Sequence, residues 1–356
     1  MMINAHKRKG HGIHLRTPIT SQTTHLAGTL FVDDTDVEHL DMRKTETIEE
    51  AHTALQKSIT NWGRLLIATG GALKPAKCFY HMISFRWNQE GCWKYNSTEN
   101  RGNLGIVVPL ANGLHAAIDH LPVSTPTKTL GQMTCPTGSS IGAIQQMKKK
   151  AQAWIDKARG GNLNKRNVWF LLDKQFWPGV SFGISSIMSS FRELDECMMR
   201  QYYNLLPISG IRRSVRKELR QLDRGFYGCG FPHPGVECMV GQISKLLTNY
   251  GCPSGLGQHL QTSMELLVIE AGVSSQILSM EYDRYGAWVL SCWVKSVWEK
   301  ICMFNLQVEI KELPLQPTRA NDKWLMLCLE EVGFSKDELI RLNRVRCYQQ
   351  VIFLSD

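Results

Sequence analysis

The chain has 356 residues, 43% of them hydrophobic and 21% charged, with a formal net charge of +9. Such a length and balance allow two ordinary domains with a sizeable core and exclude disorder over most of the chain, while the excess of cations favours an anionic partner, nucleic acid first. Eleven cysteines without a regular framework, behind an N-terminus lacking the apolar core of a signal peptide, point to reduced thiols in an intracellular compartment, cytoplasmic or nuclear. No apolar run approaches the roughly 18 residues of a membrane span, so no membrane partner is expected.

Residues 1–25 are polar, rich in His, Thr, Lys and Arg, and without periodicity, which predicts a flexible tail. The stretch Leu26 to Leu40 is an apolar run, two adjacent carboxylates at Asp33 and Asp34, and an alternating run after Thr35. It reads as two short strands with the carboxylates at the bend. Paired carboxylates on a tight tip suit Mg²⁺, a hard cation that takes oxygen ligands and substrate phosphates, although Asp-Asp pairs also serve as plain turns. From Thr47 to Ala68, residues Ile48, Ala51, Leu55, Ile59, Trp62 and Leu66 fall at spacings of three and four, the stripe of an amphipathic helix. Thr47 with Glu50 makes a capping box at its start, and Gly70-Gly71 supplies a left-handed stop. Beyond lie Lys74-Pro75-Ala76-Lys77-Cys78 and two aromatic strands, Phe85-Arg86-Trp87 and Trp93-Lys94-Tyr95, joined through Gly91.

Phe31-Val32-Asp33-Asp34, together with the block Trp62-x-x-Leu65-Leu66-x-x-Thr69-Gly70-Gly71-x-Leu73-x-x-x-Lys77-Cys78, resembles the second half of a retrotransposon reverse-transcriptase palm. The resemblance implies an RNA-directed DNA polymerase family whose complete members transfer a nucleotide with two Mg²⁺ ions. It assigns Asp33 and Asp34 to catalysis and metal binding, Gly70, Gly71 and Lys77 to the substrate side, and the aromatic strands to the primer end. In the family a first metal-binding Asp and the fingers precede this hairpin, yet only 32 residues precede Asp33 here. One hairpin supplies half of a two-metal centre, so the isolated chain is expected to be inactive, with an upstream polymerase half as a possible partner. Leu172-Asp173-Lys174-Gln175-Phe176 faintly resembles the missing motif, but its place after the palm would require a permuted chain.

Short apolar runs between 96 and 135, such as Ile106-Val107-Val108, predict further strands of a partial palm over 26–135. From Ile141 the pattern turns helical. Ile141, Ile144, Met147, Ala151, Trp154, Ile155 and Ala158 share one face, and helical stretches follow at 169–177, 187–206, 236–247, 260–278, 288–304 and 335–346. The fold class is therefore α+β: a partial polymerase palm followed by a mostly α-helical, thumb-like domain over 136–356. Blocks around Trp169 to Asp173, Gln221 to Gly228 and Asn343 to Arg346 carry the same resemblance onward.

The candidate nucleic-acid contacts are Lys165 and Arg166 and the series Arg212, Arg213, Arg216, Lys217, Arg220 and Arg224, in which Arg213, Arg216, Lys217 and Arg220 are spaced to line one side of a helix against successive phosphates of an RNA–DNA or template–primer duplex. A solvated helix face balanced by Glu218 and Asp223 is the plainer reading of that series. Cys229-x3-His233-x4-Cys238 has half of a zinc-knuckle spacing but lacks the leading cysteine pair, so buried free cysteines are expected rather than zinc. Two other readings compete with the polymerase fragment: a non-enzymatic basic nucleic-acid-binding scaffold, and a decayed element remnant with an exposed sheet edge.

Overall fold

The computed structural model describes residues 2–31, 34–39, 47–87, 93–96, 105–274, 276–310 and 322–356, an assembly of helices and small sheets. The chain divides into two units: Met1–Gly131 with Cys135–Thr137 and Pro253–Glu265, and Gln132–Thr134 with Gly138–Cys252 and Leu266–Asp356.

The first unit begins with structure where a flexible tail was expected. Helix α1 (Met2–Arg8) is followed by strands β1 (Ile13–Arg16) and β2 (Thr23–Leu26), antiparallel with Ile13 opposite Leu26 and Arg16 opposite Thr23. Its anchors are polar and aromatic, which is why hydrophobic periodicity does not reveal them. His6 is 1% exposed and its Nε2 lies 3.0 Å from the Ser58 hydroxyl, its ring stacked on His11 at 4.6 Å and edge-on to Trp62 at 5.5 Å. The buried carboxylate of Glu265 accepts from the Ile19 and Thr20 amides at 2.7 and 3.1 Å and from the Thr20 hydroxyl at 2.6 Å, holding the turn between the two strands. Each bond here joins residues far apart in sequence.

Strands β3 (Gly28–Phe31) and β4 (Asp34–Val37) pair antiparallel, from Gly28 opposite Val37 to Phe31 opposite Asp34. Helix α2 (Ile48–Ala68) starts on the expected capping box, with the Glu50 amide donating to the Thr47 hydroxyl at 3.2 Å and the Thr47 amide to the Glu50 carboxylate at 2.9 Å. It ends where Gly70 takes a φ of +84° and the Gly71 amide returns to the Leu66 carbonyl at 3.0 Å. A three-stranded sheet packs against it, ordered β5 (Phe79–Tyr80), β9 (His115–His120), β8 (Ile106–Pro109), with β5 parallel and β8 antiparallel to β9. Tyr80, Ile106, Val108 and Ile118 bury their side chains with Leu55, Ile59 and Leu73. The open edge of β8 meets the Gln56 amide, whose nitrogen donates to the Val107 carbonyl and whose oxygen accepts from the Val107 amide, both at 2.8 Å. One glutamine thus supplies the pairing that another strand would otherwise provide. Strands β6 (Phe85–Trp87) and β7 (Trp93–Tyr95) form a separate hairpin with Phe85 opposite Tyr95.

The second unit is helical. In α3 (Ile141–Gly160) the predicted stripe buries Met147, Ala151, Ile155 and Ala158, whereas Ile141, at the first position before a full turn has formed, stays exposed. The stripe packs with Leu172, Phe176, Leu194, Met198, Tyr202 and Phe231 in one cluster. The stretch expected as one helix over 169–177 is α4 (Lys165–Leu171), a π-helical turn from Leu172 to Phe176, and α5 (Trp177–Ser181). The wider turn leaves both Leu172 and Phe176 buried. Residues 187–206 hold two helices, α6 (Phe191–Cys197) and α7 (Met199–Leu205), with the break at Met198. After the short α8 (Lys217–Gln221) come α9 (Pro234–Asn249), α10 (Gly255–Ala271, of which the residues up to Glu265 belong to the first unit), α11 (Tyr282–Tyr285), α12 (Trp293–Met303), α13 (Leu325–Val332) and α14 (Lys336–Gln349). Within this unit Arg346 and Asn343 of α14 hold the last carbonyls of α10 (Nη2 to the Ile269 oxygen 2.5 Å, Nδ2 to the Glu270 oxygen 2.8 Å), just before Gly272 turns the chain with a φ of +62°. The Asn343 to Arg346 block is therefore a C-terminal cap delivered from another helix.

No helix among the described residues is long and apolar enough to cross a membrane, and the ten described cysteines are all free thiols.

Candidate nucleic-acid interface

Asp34 opens β4 directly across from Phe31, so it is paired in a strand and not at the bend where both carboxylates were expected. Asp33 itself lies outside the described residues. Just past the end of β4, burial and the neighbouring Asp36 raise the Glu38 carboxyl above its ordinary range. Lys77 closes a 3₁₀ turn over Pro75–Lys77 and is exposed, while Gly70 and Gly71 close α2. A Cβ on Gly71 would stand 2.7 Å from Leu66 Cδ1, so the helix end is tight at that residue and open at Gly70, where such an atom would meet nothing within 4 Å. Among the described residues no group of three or more His, Cys, Asp and Glu side chains is placed to hold a metal ion. In β6 and β7 the rings of Phe85, Trp93 and Tyr95 meet on one face at 5.1–5.3 Å, and alternation puts Arg86 and Lys94 on the other.

The basic series of the second unit departs from the expected helical row. Helix α8 begins only at Lys217, so Arg213 and Arg216 precede it, with Val215 donating to the Arg212 carbonyl at 3.2 Å in a turn. Two of the four cations are occupied internally. Lys217 pairs with Asp195, and Arg220 donates from Nε to the Val215 carbonyl at 2.7 Å and from Nη2 to the Arg213 carbonyl at 3.3 Å. Spacing alone could not foresee this, because the partner Asp195 sits on α6. Arg213 lies over the Tyr203 ring at 4.8 Å, and Arg216, Lys165 and Arg166 are exposed. Lys165 and Arg166 start α4 behind Asn164, which caps the Asn167 amide at 2.8 Å.

Arg224, the last cation of the predicted series, is its best-anchored member. It makes a two-pronged pair with Asp173 at 3.0 and 3.2 Å and covers Trp169 at 5.0 Å. The Asp173 carboxylate thus serves an arginine clamp. Asp195 Oδ1 also lies 3.0 Å from His233 Nε2 as an ion-pair contact, while Nδ1 accepts from the Gly235 and Val236 amides at 3.1 and 3.4 Å as the N-cap of α9. Both nitrogens of His233 are thereby engaged, burial pushing its pKa down against the pull of Asp195. Cys238, buried, donates to the Ile184 carbonyl at 3.2 Å, and burial lifts its thiol to about 11. The cysteine–histidine spacing is accounted for by a helix cap and a core thiol.

Comparisons with protein-family models, with curated proteins and with solved structures find no match.

Proposed function

We propose that the chain is a retroelement reverse-transcriptase relative that binds template–primer nucleic acid and does not polymerise by itself. The observation that carries this reading is the order of parts in the first unit. A hairpin with Val32 and Asp33 between its strands and Asp34 at the head of the second leads to a capped helix closed at Gly70–Gly71. An exposed Lys77 turn and a hairpin with an aromatic face follow. In this reading Asp33 and Asp34 ligate Mg²⁺, and Gly70, Gly71 and Lys77 lie on the nucleotide side. Two-metal transfer also needs a carboxylate from a second strand, which an upstream polymerase half would supply. Primer extension on poly(rA)·oligo(dT) with Mg²⁺ or Mn²⁺ tests it: no incorporation is expected, and incorporation lost in Asp33→Ala would overturn the inactivity.

A second reading is a basic scaffold that binds nucleic acid through its helical unit alone. It is favoured by the pairing of β3 with β4 as a two-stranded sheet of their own, apart from the β5–β9–β8 sheet. It predicts salt-sensitive binding indifferent to Mg²⁺ and to Asp33→Ala.

A further inference from the structure

The loop from Asp223 to Gly228 spends backbone order on holding two aromatic rings in solvent. Tyr227 is 99% exposed and Phe226 73% exposed, yet the segment beneath them is heavily bonded. The Asp223 side chain takes the Gly225 amide at 2.7 Å, and its carbonyl takes the Phe226 and Gly228 amides at 3.0 and 3.1 Å. The loop is tied to α8 by the Cys229 amide to the Leu219 carbonyl, the Gly230 amide to the Leu222 carbonyl and the Phe231 amide to the Arg220 carbonyl, at 2.8–2.9 Å. A Cβ on Gly228 would stand 1.9 Å from the Leu222 oxygen, so the return strand fits only without a side chain.

Tyr227 also sits at φ +62°, a left-handed conformation that a tyrosine adopts at a cost glycine would not incur. Packing gives nothing back, because the ring touches so little of the protein. A strained, solvent-facing aromatic on a rigid base points to a ligand with a flat apolar face.

The charge around the loop narrows that ligand. Arg224 is clamped under it by Asp173, and Arg213, stacked on the half-exposed Tyr203, is joined to α8 through Arg220. Arg212 and Arg216 are exposed beside them, against the acids Glu218 and Asp223, the latter already capping the loop. An anionic chain carrying planar rings matches both features.

We infer that the Asp223–Gly228 loop is a stacking finger for unpaired nucleic-acid bases, with the strand's phosphates on the arginines of the 212–216 turn. This deepens the proposed nucleic-acid binding by naming a single strand as the target of the helical unit. Stacking on an aromatic contributes enough per base that removing it weakens binding by about tenfold.

The full-length chain is titrated against a fluorescein-labelled 12-nucleotide single strand, a duplex of equal length, and a strand bearing 2-aminopurine, whose fluorescence reports stacking. Tyr227→Ala and Phe226→Ala are expected to weaken single-strand binding about tenfold each, to abolish the 2-aminopurine signal and to leave duplex binding within twofold, while Tyr227→Phe retains both. Tyr227→Gly is expected to raise Tm by about 2–4 °C while losing the same affinity, which separates binding from folding. Unchanged single-strand affinity in Tyr227→Ala, alongside loss in Arg213→Glu/Arg216→Glu, would overturn the finger and leave nucleic-acid binding intact. Absence of binding by the unmodified chain to either form would overturn both.

Discussion

Replacing Arg346 with alanine should unfasten α14 from α10. Arg346 is 3% exposed, and its guanidinium donates to the Ile269 oxygen at 2.5 Å, the Glu270 oxygen at 3.0 Å, the Val351 oxygen at 3.0 Å and Asn343 Oδ1 at 2.9 Å. Three of these acceptors are main-chain carbonyls, two of them at the end of α10, where the helix dipole also favours a cation. Losing three part-buried charge-assisted bonds, discounted to about 1 kcal/mol each, plus about 1 kcal/mol for the dipole, gives about 4 kcal/mol. That is a large share of the roughly 5–15 kcal/mol by which domains are stable. Urea unfolding should show a lower midpoint, and amides of 266–272 and 346–352 should exchange hydrogen faster than the rest of the helical unit. Arg346→Lys should recover less than half, since one ammonium cannot reach acceptors spread around a planar fork. Gly272→Ala should act like a partial Arg346 deletion, because its Cβ would stand 2.7 Å from Arg346 Cζ at a φ of +62°. The exposed Arg341 serves as control, its removal changing stability by under about 0.5 kcal/mol. An Arg346→Ala midpoint indistinguishable from that control would refute the cap.

Three further outcomes follow from particular contacts. Burial first, then His11 and His39, push His6 down to about 4. The unfolded chain therefore takes up the proton first as pH falls, and this stability is full above about pH 6.5 and lost toward pH 4, by at most about 3 kcal/mol. His6→Asn should flatten that acid limb in thermal melts, and an unchanged limb would contradict the assignment. Gln56→Leu removes both bonds to the edge of β8 and leaves the Val107 amide and carbonyl unpaired, costing about 2 kcal/mol, to be read as faster exchange of the Val107 amide. Asp195→Ala removes the carboxylate that pairs with Lys217 and faces His233 Nε2 and should cost about 2 kcal/mol in urea, whereas Arg192→Ala, losing an exposed pair with Glu196, should cost under about 0.5 kcal/mol.

Local information sufficed wherever an element carried its own signals. The α2 capping box, the left-handed Gly70, the buried stripe of α3 and the pairing of β3 with β4 all follow from propensity, period and turn chemistry within a short window. Resolution was lost where a residue's role depends on a partner far along the chain. The basic row of 213–220 dissolved because Asp195 and the Val215 and Arg213 carbonyls take two of its cations, and the N-terminal helix and hairpin emerged because Ser58 pairs with His6 of α1 and Glu265 holds the turn of the hairpin. The Tyr227 loop belongs to the same kind: glycines and an Asp announce a turn, but only the folded chain says that the rings stay outside. Sequence by itself therefore determined the α+β character, the helix ends and the cationic bias, since these need only neighbours. Tertiary structure decided which charges and rings face solvent, because desolvation and hydrogen-bond satisfaction are settled between segments that meet only after folding.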